Sequence, residues 1–531
     1  MNVTFYGAVR EVTGSMHLVA TDKDKIILDC GMFQGRRRET YQKNLVFPFD
    51  ARMIANIILS HAHIDHSGRI PILTKNGFNG RIICTRATSD ACKYLLSDSA
   101  RIQESDAAYI NYKSLRSVLM KSKEMGGDRR LKSQRDKIKK LLKKDGERLN
   151  IEVIADLMEK YRLERIRPLY TSEDVENTIP QFEGYPYGEE IITGNEMTSV
   201  FYDAGHILGS GMIIINIREE GRSYTIGYTG DIGRFGKPIL KDPSTRFREQ
   251  DSLLDLLIME STYGNRLHEP VGNLTITLKE VINETIDRGG SLLIPSFAFG
   301  RTQELLYLLH ALYDKREVPR IPVYVDSPLA VELTRVYTEH PEVYDRKTHE
   351  QFLSDGENPF QFEQLRFISS VEESMRLMRE KKPHIVISGS GMCEGGRILH
   401  HLRYKIHNPR NTILLVGYMA ANTLGRRILE LGEAYEEGGR NGEAPTVKFL
   451  NKIYPLKAKV VNLGGFSAHA DRNEMIRLLK TSNLTIRQIA VVHGEEDQAL
   501  PFAEALEKEG YRAFVPRLGE TIRIRPRSTG A

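Results

Sequence analysis

The stretch Ser60-His61-Ala62-His63-Ile64-Asp65-His66-Ser67-Gly68 packs three imidazoles and a carboxylate into six residues, directly after the apolar run Ile57-Ile58-Leu59. Neutral imidazoles one residue apart can chelate a divalent ion from a loop that leaves a strand. Asp65 and His66, further along the same loop, can turn toward a second ion. Two ions side by side imply hydrolysis. Isolated surface histidines are the bland alternative, and this density argues against it.

A metal needs four to six ligands, so other histidines or carboxylates must end later strands. Val200-Phe201-Tyr202-Asp203-Ala204-Gly205-His206 is an apolar run ending in Gly-His, followed by Ile207-Leu208-Gly209-Ser210-Gly211 and a second apolar run, Met212 to Ile217. His206 is therefore expected on a tight loop between strands. Tyr224 to Tyr228 leads through Thr229-Gly230 to Asp231, whose two oxygens could bridge two ions, and Ile489-Ala490-Val491-Val492 leads to His493-Gly494-Glu495. Strand, ligand, glycine is the shared grammar of these sites.

Asp29 in Leu28-Asp29-Cys30-Gly31, the HAHIDH cluster, His206 and Asp231 resemble the ordered motifs of the metallo-β-lactamase superfamily. Glu260 in Glu260-Ser261-Thr262-Tyr263-Gly264, His469 in Phe466-Ser467-Ala468-His469-Ala470-Asp471, and His493 resemble the further motifs of the β-CASP nucleases. That group contains the cleavage and polyadenylation factor nuclease and its prokaryotic relatives. The resemblance covers nearly the whole chain. It assigns His61, His63 and His206 to one zinc, Asp65, His66 and His493 to the other, and Asp231 to the bridge, so two Zn2+ per chain. Asp29 would support the site by hydrogen bonding rather than by coordination. A histidine at the last motif position argues for the RNA branch of the family over the DNA-repair branch.

The implied chemistry is RNA phosphodiester hydrolysis. Two zinc ions about 3.5 to 4 Å apart lower the pKa of a shared water and neutralise phosphate oxygens, so a bridging hydroxide attacks phosphorus. The ribose 3′ oxygen leaves, giving 5′-phosphate and 3′-hydroxyl ends. That basic leaving group calls for a proton donor, and the resemblance offers the pair Glu260 and His469. The 2′-hydroxyl is not the nucleophile, so RNA preference must come from recognition. Endonuclease action is the first expectation, with 5′ to 3′ exonuclease action a second mode. A catalytically inert RNA-binding scaffold and a different binuclear hydrolase are the alternatives. Inert relatives lose ligands, and this chain keeps every one.

Positioning these residues needs a large α/β protein. At 531 residues, 40% apolar and 27% charged, the chain exceeds one ordinary core and composition is that of a soluble globular protein. The expected architecture is an αββα metallo-β-lactamase sandwich over 1–264, with a basic insertion at about 110–168. A β-CASP domain would follow over 265–460, and a return to the first domain over 461–531 would carry the last zinc ligand. Between 265 and 460 four strand-then-helix units predict a parallel sheet with crossover helices. They are Ser291–Pro295 with Thr302–Tyr313, Val323–Val325 with Leu329–Thr338, His384–Ser388 with Arg397–Lys405, and Thr412–Val416 with Thr423–Leu431. A helix is also predicted near Ser89–Ser105. The active site would lie in the cleft between the domains.

Glycine-rich loops at strand-to-helix junctions, Ser388 to Gly396 and Phe299-Gly300-Arg301-Thr302-Gln303, suit RNA-backbone contact, a nucleotide cofactor or plain tight-turn packing. Arg301, Ser390 and Ser467 are the candidate phosphate contacts. His400 and His401 suit surface or capping roles. His17, His268, His310, His340, His349, His384 and His407 show no spacing that suggests coordination.

Charge is uneven. Residues 113–148 hold 14 Lys or Arg against five Asp or Glu, a local +9 when the whole chain is only +5. Lys132 to Lys144 suits a basic helix, either a solvated face, a surface that steers RNA by phosphate neutralisation, or a contact for RNA-processing or ribosome-associated partners. The N-terminus has no basic head with an apolar signal core, and no apolar run reaches the roughly 18 residues of a membrane span. Cys30, Cys84, Cys92 and Cys393 form no CxxC spacing, which suits reduced, buried thiols. A cytoplasmic enzyme acting on single-stranded RNA, away from membranes, is the expectation. The family resemblance also implies a homodimer.

Overall fold

The computed structural model describes residues 1–35, 37–121, 143–144, 148–268, 274–354, 356, 358–417, 419–420 and 422–525. Two seven-stranded sheets stack face to face. The first runs in the order Thr521–Arg523, Asn2–Gly7, Met16–Ala20, Lys25–Leu28, Asn56–Ile58, Arg81–Thr85, Phe182–Tyr185. The second runs Ala513–Phe514, Ile489–Val492, Leu256–Glu260, Arg222–Tyr228, Gly211–Glu219, Met197–Asp203, Ile191–Gly194. Alternation along the strands builds the inner layer: Ile213 and Ile215 meet Val3, Phe5 and Ile26 from the facing sheet. The intervening Met212 and Ile214 turn outward, where Met475, Leu478 and Phe502 of the helices Arg472–Thr481 and Glu496–Lys508 cover them. On the other flank Leu73 and Leu96 cover Ile57 and Ile82. Helix, sheet, sheet, helix is the expected αββα sandwich.

A third sheet lies in the order Leu365–Phe367, Val323–Val325, Ile385–Ser388, Leu292–Pro295, Thr412–Val416, Lys459–Leu463, with every pairing parallel. The four predicted units all contribute, and their helices are Arg301–Asp314, Pro328–Glu339, Ile398–Lys405 and Leu424–Glu437. Both faces are buried, which is why these strands read as unbroken apolar runs. The strand Lys459–Leu463 straddles the expected boundary at 460/461 and pairs with Thr412–Val416, so this sheet claims the chain as far as Leu463.

The two bodies share apolar packing. One cluster of buried side chains runs without a break from Leu96 through Ile207, Ile239 and Phe299 to Leu333 and Tyr344. Polar ties cross the same seam: the His340 ring bonds Asp90 at 2.9 Å, and Leu240 bridges Tyr344.

The helix predicted near Ser89–Ser105 runs Arg86–Lys121, and its far end holds Leu115 against Ile154 and Met158 of the helix Ile151–Lys160. Most of the predicted basic helix lies outside the described residues. Its last two, Lys143–Lys144, are extended and pair with Arg148–Leu149 instead. The four cysteines are free and buried. Among the described residues no helix is long and apolar enough to cross a membrane.

Candidate active site

Every candidate ligand sits just past the carboxyl end of a strand in one of the stacked sheets. Asp29 follows Lys25–Leu28, and the HAHIDH loop follows Asn56–Ile58, with Asp65 and His66 in a short helix, Ile64–Ser67. His206, Asp231 and His493 follow strands of the second sheet, whose member Leu256–Glu260 ends in Glu260. His493 takes φ 52°, a left-handed conformation uncommon for a residue with a Cβ, and its N–H donates to the Ala8 carbonyl at 2.7 Å. Gly31 lies against the HAHIDH helix so closely that a Cβ there would stand 1.6 Å from the Asp65 carbonyl oxygen. Only glycine lets the Asp29 loop pack at that distance.

His61 Nε2 lies 3.1 Å from His63 Nδ1, and His206 Nε2 lies 3.4 Å from the same atom. Three imidazole nitrogens thus converge on one point. A tetrahedral shell with nitrogens about 2.0–2.1 Å from an ion has edges of about 3.3–3.4 Å, which these spacings match. The Asp231 carboxylate separates two such groups: Oδ2 faces His61 at 3.4 Å and His206 at 3.5 Å, while Oδ1 faces His66 at 3.3 Å and His493 at 3.5 Å. His66 Nε2 and His493 Nε2 are 2.9 Å apart, with Asp65 3.8 Å from His493. Asp231 Oδ1 and His206 Nδ1 are buried without a hydrogen-bond partner among the described residues. An orphaned carboxylate oxygen between imidazoles is what a metal ion would satisfy. His61, His63, His206 and Asp231 form one group able to hold an ion, and Asp65, His66 and His493 another.

Burial lowers His61 to about 4 and His63 to about 3, so both rings are neutral at pH 7 with a lone pair to offer. Burial opposes charge on His66 too, but Asp231 and Asp29 outweigh it and hold its pKa well above the usual value. Asp29 works as a hub. Its Oδ1 accepts the Ser60 N–H at 2.7 Å, and Oδ2 accepts the Ser60 hydroxyl at 2.8 Å, the His66 Nδ1–H at 2.6 Å and the Tyr228 hydroxyl at 2.5 Å. Ser60 Oγ in turn meets His61 Nδ1 at 3.0 Å, and Thr262 Oγ1 meets His493 Nδ1 at 3.0 Å.

Glu260 is buried, and both of its oxygens lie near His469 Nδ1, at 3.2 and 3.3 Å. Burial disfavours the imidazolium at His469, yet Glu260 and Asp231 overcome it and raise the pKa to about 9. His469 reaches the site because its loop docks directly beyond Asp231: it bridges Gly233, and the Ala470 N–H donates to the Ile232 carbonyl at 2.8 Å.

The three candidate phosphate contacts are distributed differently. Arg301 is buried, pairs with Glu304 and stacks 4.8 Å from the Phe466 ring, so its guanidinium is engaged within the protein. Ser390 Oγ accepts the N–H groups of Glu394 at 3.0 Å and Gly395 at 3.2 Å, closing its own loop. Ser467 is half-buried in the loop that carries His469.

Sequence reasoning passed over several partners. Ser60 and Tyr228 lie within the quoted stretches but are given no role there, although Tyr224-Ile226-Tyr228 forms an inward row ending in an aromatic with a polar tip, which is a usable signal. His268, whose spacing suggests no coordination, approaches the His469 carbonyl at 3.2 Å. His401 is no surface residue: it is fully buried and bonds Asp326 at 2.7 Å, beside Arg397 and Ser374, each 2.6 Å from the same carboxylate. Asp326 follows the apolar strand Val323–Val325, the same strand-then-carboxylate pattern seen at Asp29 and Asp231.

Comparison with known proteins agrees with this layout. The model of the metallo-beta-lactamase superfamily matches residues 9–129, that of the Beta-Casp domain 302–428, and that of the Zn-dependent metallo-hydrolase RNA specificity domain 453–516. The chain is 31% identical over 524 residues to "Ribonuclease TTHA0252" of Thermus thermophilus, covering 99% of this chain and 100% of the other. It is 28% identical to "Transcription termination factor FttA" of Methanocaldococcus jannaschii, covering 99% of this chain and 72% of that protein. It is also 28% identical to "Probable RNase MJ4" of the same organism, covering 99% and 100%. Among solved structures, a protein of unknown function from Enterococcus faecalis V583 shares the fold at a TM-score of 0.50 and 13% identity, over 98% of this chain and 99% of the other.

Proposed function

The chain belongs to the β-CASP ribonucleases of the metallo-β-lactamase superfamily, and from that footing we propose that it hydrolyses single-stranded RNA with two zinc ions, leaving 5′-phosphate and 3′-hydroxyl ends. It is a metal-dependent hydrolase. The observation that carries the finer reading is Asp231, whose two oxygens face two separate sets of imidazoles.

His61, His63 and His206 would hold one ion, Asp65, His66 and His493 the other, and Asp231 would touch both. When bound, the ions would supply an acidified water and positive charge opposite the non-bridging phosphate oxygens. Asp29 orients His66 by accepting from its Nδ1, so Nε2 is the nitrogen turned to the ion. Thr262 does the same for His493. Glu260 holds His469 through Nδ1, which leaves Nε2 to hand a proton to the departing ribose 3′ oxygen. Internal cuts in flexible strands are the first mode of this reading, with stepwise removal from a 5′ end as a second mode. Ser390 and Ser467 are the phosphate contacts this reading retains. A cytoplasmic location, a homodimer and RNA-processing partners reached through the basic segment 113–148 complete it.

The test is cleavage of 5′-labelled single-stranded RNA by purified protein of measured zinc content. Two zinc ions per chain and products ending in 3′-hydroxyl are expected, with loss of cutting on Asp231→Ala. Binding without cutting in a zinc-loaded protein would favour a scaffold and refute the proposal.

A further inference from the structure

Two neighbouring strands of the third sheet, Leu292–Pro295 and Ile385–Ser388, send their connections in opposite directions. The first leads to Val323–Val325 on one side and the second to Thr412–Val416 on the other. In open parallel sheets such a reversal leaves a crevice outside the strands' carboxyl ends, where ligands settle. Here the crevice is lined by Ser296-Phe297 from one strand and Gly389-Ser390-Gly391 from the other, tied by a Ser296 N–H bond to the Ser388 carbonyl at 3.0 Å.

Phe297 is the anomaly there. Its neighbours Pro295, Ser296 and Phe299 are buried, yet Phe297 as a whole residue is 43% exposed. Gly391 lies directly against it: a Cβ on that glycine would stand 2.7 Å from Phe297 Cδ2 and 2.9 Å from Cε2. The glycine backbone therefore supports part of the ring while the rest stays open. The position is next to the chemistry. Phe299 meets the His63 ring at 6.3 Å between centroids, and a Cβ on Gly300 would stand 3.3 Å from the side chain of Ile207, the residue after His206. Two residues of chain span at most roughly 7 Å, so the Phe297 backbone lies within about that distance of Phe299, the residue that meets His63.

We infer that Phe297 is a stacking platform for an unpaired base of the RNA, next to the scissile phosphate. An exposed aromatic face, propped from behind and flanked by backbone amides, suits a nucleobase, because every base presents a π-face while single-stranded substrate leaves that face free. The stack would be tolerant of sequence, and it would steady the strand in ground state and transition state alike. Its removal should therefore raise KM and leave kcat nearly unchanged. This inference rests on the ribonuclease reading above.

The experiment compares wild type and Phe297→Ala on a set of otherwise identical RNAs, each with one abasic residue at a successive position. On intact RNA the variant should show a KM raised by about fivefold to about 150-fold, the range for removing one base–aromatic stack. On the RNA whose abasic residue falls at the stacked position, wild type should suffer a similar rise and the variant little more. A second variant guards against misfolding. The chain has no tryptophan, so Phe297→Trp installs a single indole whose emission should be quenched by a non-cleavable RNA. An unchanged KM in Phe297→Ala, a defect undiminished on every abasic RNA, or indole emission that RNA leaves unmoved would each overturn the inference. Failure of the wild-type protein itself to cut RNA would instead remove the reading beneath it.

Discussion

Asp29→Asn changes one oxygen to an amide in the most heavily hydrogen-bonded carboxylate of the site. Four donors converge on Asp29, three of them on Oδ2: the Ser60 hydroxyl, the Tyr228 hydroxyl and His66 Nδ1–H. An asparagine that keeps its oxygen toward the Ser60 N–H turns its NH2 group toward those three donors. The hydroxyls can rotate, but the imidazole can only shed the Nδ1 proton and carry it on Nε2 instead, the nitrogen meant for the ion. Loss of such an orienting partner ordinarily weakens metal binding about 10- to 100-fold, or about 1.4–2.7 kcal/mol. The loss should fall on the ion held by Asp65, His66 and His493. The other ion, which the proposal gives to His61, His63 and His206, is linked to Asp29 by hydrogen bonds at one remove, through Ser60. Zinc competition against a chromophoric chelator should therefore resolve two affinities in the variant, one close to wild type and one weakened, with the circular dichroism of a folded protein. Two unchanged affinities, or two weakened alike, would refute the role given to Asp29.

His469→Ala should cut kcat by about 10²- to 10⁴-fold with zinc content unchanged, and an RNA whose leaving 3′ oxygen is replaced by sulfur should lose much less, because that group departs without a proton. An equal loss on both substrates would deny His469 its part as donor. Asp203 should make stability fall with pH: burial raises its pKa from 3.8 to about 7, against the opposing Gly205 N–H and Lys241. The folded state keeps this proton where the unfolded chain has shed it, so the contribution is whole below about pH 4 and disappears as pH rises through 7. Asp203→Asn retains the acceptor for Gly205 and should flatten that decline in urea midpoints compared at about pH 5 and about pH 8. Replacing the eight Lys and Arg residues between 122 and 142 by Gln should weaken RNA binding and make its salt dependence shallower by about 0.7 in log–log slope for each phosphate no longer neutralised. An unaltered slope would mean that this segment does not steer RNA.

The candidate ligands are legible because they are scarce residue types in conspicuous places. A histidine or aspartate just past an apolar strand stands out, most of all with a glycine beside it as at His206, Asp231 and His493, and the same local grammar flags His61 although the four are far apart in the chain. The parallel sheet is legible for a related reason, since burial on both faces writes unbroken apolar runs such as Leu292–Pro295 and Thr412–Val416. What escapes is anything whose meaning lies in long-range juxtaposition. The strand Leu365–Phe367 is three residues long and carries no period of its own. Tyr228 and Thr262 are ordinary residues until a distant partner arrives beside them. His401 reads as a surface residue from its neighbours on a helix, whereas Asp326, 75 residues earlier, decides its burial.

The order in which the site is assembled from the chain has a consequence for the making of the protein. On the assignment proposed above, the proton donor is residue 469 and the last ligand residue 493 of 531, both contributed after the third sheet is complete. On that assignment, a chain broken off before residue 469 has all of the third sheet and the HAHIDH loop but neither the proton donor nor the last ligand. The third sheet thus closes before the two stacked sheets receive the last side chains that the proposal asks of them.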